Sequence, residues 1–136
     1  MPTVKEFTVF VEDRPGTLGK LTRALADRGV NVLAFQAFGT STHLVVDNLT
    51  TAKAVLDAEP YSYTATDVAQ VKLPHRPGEL ARAASRLGEA NININYAYGG
   101  LEAGTNAPLV FFGVAVAQVG QAVMILDQLA AAAARA

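Results

Sequence analysis

Apolar and polar positions alternate with a period of two through "EFTVFVE": Phe7, Val9 and Val11 fall on one face of a strand, and Thr8, Phe10 and Glu12 on the other. The period then changes. Pro15 fixes its own φ and Gly16 tolerates an unusual one, so a turn is expected; Leu18, Leu21 and Leu25 then recur at helical spacing up to a stop at Gly29. Two strands follow in "VNVLAFQAF" and "THLVVD", joined by the small-residue turn "GTS". Ala52, Val55 and Leu56 mark a short helix, and "YSYTAT" closes the run as a strand. The predicted order is βαββαβ, the α+β ferredoxin-like motif, whose antiparallel sheet carries both helices on one face.

The same order begins again, almost without a linker, in "VAQVKLP". It predicts a helix with Leu80, Ala84 and Leu87 inward, strands in "NININYAY" and "PLVFFGVAV", and a helix whose stripe is Ala122, Ile125, Leu126, Leu129 and Ala133. The chain then ends in "AAAARA", where a fourth strand would stand, so the second unit is expected to lack its last strand. An open sheet edge has to be covered, either by the alanine-rich tail or the first unit, or by strand pairing with a second copy. In "NININ", Asn91, Asn93 and Asn95 share one face of a strand and Ile92, Ile94 and Tyr96 the other. "YGGLEAGTNAP" is a long hairpin link with no Gly-Lys-Ser/Thr end, and is not a phosphate loop.

The two runs share residues as well as order. Arg14, Pro15, Gly16 and Leu18 match Arg76, Pro77, Gly78 and Leu80, and further on Leu25, Val30, Asn31 and Val32 fall on Leu87, Ile92, Asn93 and Ile94. So much spaced agreement indicates duplication, with domains at 1–66 and 67–136.

Composition narrows the function. The chain has 136 residues and a net charge of −1, with eleven basic and twelve acidic residues spread along it, which leaves no footprint for nucleic acid or anionic lipid. Neither third strand carries the basic, glycine and aromatic pattern of RNA-recognition modules, which share this element order. There is no cysteine, so disulfides and thiolate chemistry are excluded. His43 and His75 are the only histidines and have no metal-ligand spacing; no metal and no cofactor is expected. No nucleophile, base and orienting group fall together, so the chain is read as no enzyme. The start "MPTVKEFTVFVED" has no leader pattern and no apolar stretch is expected to reach a membrane span, giving the expectation of a soluble, cytoplasmic protein.

The repeated turn is the candidate site. Each turn precedes a helix whose first N–H groups and positive dipole end favour a carboxylate, and Gly16 and Gly78 allow close approach to the backbone. Asn31 and Asn93, at the start of the second strands, carry amides that donate to a carboxylate and accept from an ammonium, the two ends of an amino acid. Asp13 is suited to the ammonium, whereas His75 offers imidazole at the matching place. Pro-Gly turns and asparagines after a helix also occur for purely structural reasons.

"EDRPGTLGKLTRALADRGVNVLAFQAF" resembles the opening of an ACT domain, the small regulatory module that binds amino acids, and "HRPGELARAASRLGEANININYAY" is similar to it. The resemblance covers nearly the whole chain and implies two ferredoxin-like units in tandem, like small stand-alone tandem ACT proteins. In the serine-binding members, the loop before the first helix and the asparagine opening the second strand hold the ligand at an interface. Residue by residue, that implies Asp13, Arg14, Pro15, Gly16, Thr17, Leu18 and Asn31 in the first unit. In the second it implies His75, Arg76, Pro77, Gly78, Glu79, Leu80 and Asn93. The family's loop asparagine is Asp13 or His75 here, and its histidine two residues earlier is Val11 or Leu73, which leaves the ligand's identity open. The implied function is a homodimeric amino-acid sensor, with a metabolic enzyme as a possible partner. The alternative is a protein-interaction regulator or repressor that binds no ligand.

Overall fold

The structure is a computed structural model that describes residues 3–135; residues 1–2 and 136, the outer ends of the two expected domains, lie outside the described residues. Two compact units are present: residues 5–66, and 67–135 together with Thr3 and Val4.

In the first unit the alternating segment forms β1 (Thr3–Phe10), followed by α1 (Thr17–Asp27), β2 (Val32–Phe38), β3 (Ser41–Val46) and α2 (Leu49–Ala58). β3 pairs antiparallel with both β1 and β2, giving the order β1-β3-β2. Phe7, Val9 and Leu44 of the sheet pack with Leu21, Leu25, Ala52, Val55 and Leu56 of the helices in one core. Each fully buried Val, Leu or Phe side chain of this core contributes about 1.5–3 kcal/mol. α1 ends where Gly29 takes φ 75°, and α2 begins at Asn48, whose side chain accepts from the Thr51 N–H at 3.0 Å.

"YSYTAT" and "VAQV" are not two strands. They form one ten-residue strand, β4 (Ser62–Val71), so the first unit passes into the second without leaving β structure. After it come α3 (Glu79–Glu89), β5 (Tyr96–Leu101), β6 (Pro108–Gly113), a 3-10 turn and α4 (Val119–Arg135). β6 pairs antiparallel with β4 and β5, so the order β4-β6-β5 repeats that of the first unit. α4 runs to the end of the described residues, and its buried Ala122, Leu126 and Leu129 join Ala83, Leu87, Val71 and Phe112 in a second core. "AAAARA" therefore begins as the last turns of a helix.

Four further expectations are corrected. α3 buries Glu79, Ala83 and Leu87, leaving Ala84 half-buried and Leu80 57% exposed. The stripe is rotated by one position because Glu79 is buried with its charge matched by Arg76 and Arg82. The alternation of "NININ" holds in burial, but the strand starts only at Tyr96, since ladder bonding begins with the Asn95 N–H donating to the Gly113 carbonyl at 2.8 Å. In the long hairpin, Tyr98–Leu101 belong to β5 and the link is a bonded turn from Glu102 to Ala107. Finally, Val116–Arg135 is long and apolar enough to cross a membrane by length and composition, against the expectation of none. Its alanines raise the mean hydropathy, while Ala122, Val123, Leu126, Leu129 and Ala133 are buried in the fold and Gln121, Asp127 and Gln128 are exposed.

Candidate functional site

The repeated turn is built the same way in both units. Gly16 (φ 89°) and Gly78 (φ 92°) sit left-handed at the helix starts, with no side-chain cap on either helix. The Arg14 N–H donates to the Glu12 carbonyl, Thr17 N–H to Arg14, and Lys20 N–H to Gly16. In the second unit Arg76 donates to Pro74, Glu79 to Arg76, and Arg82 to Gly78. The helix ends correspond as well: Val30 N–H returns to Leu25 and Ile92 N–H to Leu87, with Asn91 at φ 60° standing where Gly29 stands.

Each turn borders a cavity. In the first unit Asp13, Arg14, Gly16, Thr17 and Leu18 line one of about 220 Å³, closed on its sheet side by Ala37, Phe38 and Thr42. In the second unit His75, Arg76, Pro77, Gly78, Glu79 and Leu80 line one of about 490 Å³, closed by Gly99, Gly100 and Val110. Every loop candidate except Pro15 lines its cavity; Asn31 and Asn93 line neither. Asn31 lies one residue before β2, its N–H donating to Asp47 Oδ1 at 2.9 Å and its carbonyl accepting from the Asp47 N–H at 3.1 Å. Asn93 lies three residues before β5, and its Nδ2 donates to Asn95 Oδ1 at 3.0 Å. Both residues are exposed.

The two loops carry different charges. Arg14 Nε donates to Glu12 Oε2 at 3.0 Å; this bond and the charge beside it lower the Glu12 carboxyl below its ordinary value and raise the Arg14 guanidinium. The Thr17 hydroxyl donates to the Glu12 carbonyl at 2.6 Å, fixing the turn from inside. In the second unit the matching position is Glu79, a buried carboxylate that accepts from Arg76 Nε at 2.7 Å and lies 3.8 Å from Arg82. Glu79 thus puts a negative group beside the positive helix end.

Sequence reasoning missed the sheet side of both cavities, Ala37 and Thr42 in one and Gly99 and Val110 in the other. Thr42 had a signal: in "STHLVV" it stands in the phase of Leu44, so a polar residue occupies an inward position. A third opening, about 600 Å³, lies in the second unit between the exit of β4 at Gln70–His75, the β5–β6 hairpin and α4.

No curated protein sequence matches the chain. A solved structure of a Bacteroides thetaiotaomicron protein is similar over 93% of this chain and 88% of that one, at 22% identity and a TM-score of 0.74. The regulatory subunit of aspartate kinase from Thermus flavus is similar over 95% of this chain and 93% of its own, at 17% identity and a TM-score of 0.60. For the ligand-free regulatory subunit from Thermus thermophilus the shares are 94% and 93%, at 18% identity and a TM-score of 0.57. Residues 6–58 match the family model of the ACT domain, and the fold of the chain is the ACT-type, ferredoxin-like α+β arrangement.

Proposed function

We propose that the chain is an amino-acid-sensing regulatory protein made of two ACT-type units, 1–66 and 67–136, that acts by binding and not by turnover. The ligand carboxylate meets the first N–H groups of α1 or α3, after Gly16 or Gly78. Asp13 or His75 and their loop neighbours surround it, and Asn31 or Asn93 reaches it across an interface with a second copy in a cytoplasmic homodimer. Binding shifts how the copies, or a metabolic enzyme partner, pack. The observation that carries this reading is the recurrence of three backbone hydrogen bonds of the turn, with a cavity at each uncapped helix start. The similarity in fold to aspartate kinase regulatory subunits supports a regulatory role over a catalytic one.

A thermal-shift screen against the twenty amino acids tests it. A ligand at a hundred times its dissociation constant adds about 2.7 kcal/mol of stability. Asn31→Ala and Asn93→Ala should weaken the response while leaving the unliganded midpoint nearly unchanged. A folded protein that responds to none of the twenty contradicts the reading. It would favour instead a partner-binding regulator without ligand, a role to which Phe38, 85% exposed at the end of β2, is suited.

A further inference from the structure

The row of the sheet beneath each turn differs between the units in a way that bears on which ligand each holds. In the first unit the row is Val9–Thr42–Ala37 and in the second Val71–Val110–Gly99, as the strand registers give them. Val9 and Val71 are alike and belong to the cores, so the row faces the helices in both units. Thr42 is 1% exposed, and its hydroxyl has no hydrogen-bond partner among the described residues. It lines the 220 Å³ cavity. A buried polar atom without a partner is costly, and a ligand that bonds to it recovers that cost. The second unit has only methyl groups at this position, and Gly99 removes even the β-carbon that Ala37 provides, on the wall of a cavity of 490 Å³.

We infer that the two units are sites of different selectivity, set by Thr42 with Ala37 in the first and by Val110 with Gly99 in the second. The first takes an α-amino acid with a small side chain that carries a hydrogen-bonding group. The second takes one with a larger, apolar side chain, lying over Gly99 against Val110. Glu79 does not reverse this assignment, because Arg76 and Arg82 already answer its charge. The inference rests on the amino-acid-sensing reading above and adds to it which chemistry goes where.

Calorimetric titration of the whole protein with the twenty amino acids, repeated on Thr42→Val, Thr42→Ser and Gly99→Ala, tests it. Thr42→Val keeps the shape of the side chain, and a β-carbon at Gly99 meets nothing nearer than the Leu109 carbonyl at 3.8 Å, so both variants should fold. Thr42→Val should weaken the small polar ligands about tenfold or more and leave the large apolar ones unchanged, with Thr42→Ser restoring binding. Gly99→Ala should do the reverse. Wild-type binding with an unchanged rank order in both variants overturns the selectivity inference and leaves the sensing reading standing. No binding of any amino acid to the wild type overturns both.

Discussion

Thr42 and Val110 hold matching places in the sheets of the two units: each is the middle member of a three-strand row, with Val9 and Ala37 beside one and Val71 and Gly99 beside the other. One brings a buried hydroxyl without a partner to that place and the other a methyl group. Removing an orphaned hydroxyl removes a desolvation penalty of about 1–3 kcal/mol, so Thr42→Val should leave the unliganded protein as stable as the wild type or more so. Val110→Thr should cost less than that penalty, because Val110 is only half-buried and borders the larger cavity. Urea unfolding midpoints of both variants check this.

Gly16 and Gly78 start their helices at φ 89° and 92°, where a side chain is strained although nothing within 4 Å would touch its β-carbon. Gly16→Ala and Gly78→Ala should each destabilise by about 1–2 kcal/mol through backbone strain alone. Equilibrium unfolding measures the cost. Ligand binding, if it uses the loop amides, should fall by more than the stability change explains.

The β-carbon of an alanine at Gly113 would overlap the ring of Tyr96, its partner across the β5–β6 ladder. Ring and strand cannot both stay in place, so Gly113→Ala should cost about 1–3 kcal/mol. Gly113→Ala combined with Tyr96→Ala should recover part of it, because the double variant makes room for the methyl group. A double-mutant cycle by urea unfolding reads the coupling.

Arg14 lowers the Glu12 carboxyl from its ordinary value of 4.5 through its hydrogen bond first and its charge second. A carboxyl lowered in the folded state stabilises it above the unfolded value, and that contribution is lost as pH falls through the lowered value. Glu12 is fully exposed, so the effect is small and weakened by salt. Unfolding midpoints from neutral to acid pH should fall less steeply for Glu12→Gln than for the wild type, the difference opening below about pH 4.5.

Most of the fold is legible in the sequence because burial on one face leaves a periodic trace. Phe7 and Val9 mark β1, and Leu21 and Leu25 mark α1, without any tertiary information. The phase of α3 was not legible: apolar counting favours Leu80, and the hydrogen bond from Arg76 together with the ion pair to Arg82 makes it possible to bury Glu79 in its place. The repeated turn was visible as matching residues, but the sheet side of the cavities was not. Arg14 and Arg76 stand 62 residues apart, whereas Thr42 and Val110 stand 68 apart, because the hairpin of the second unit is longer. A fixed displacement along the chain therefore never aligns them; strand pairing does.

The proposed seats for an amino acid are the amides at the starts of α1 and α3. An amide-resolved NMR titration with each of the twenty amino acids tests this assignment most directly. Saturable shifts are expected to concentrate at Leu18–Gly19 or Leu80–Ala81, the first amides after each turn that return to no carbonyl of their own helix. An absence of saturable shifts with all twenty, or shifts confined to the groove beside α4, would contradict the assignment.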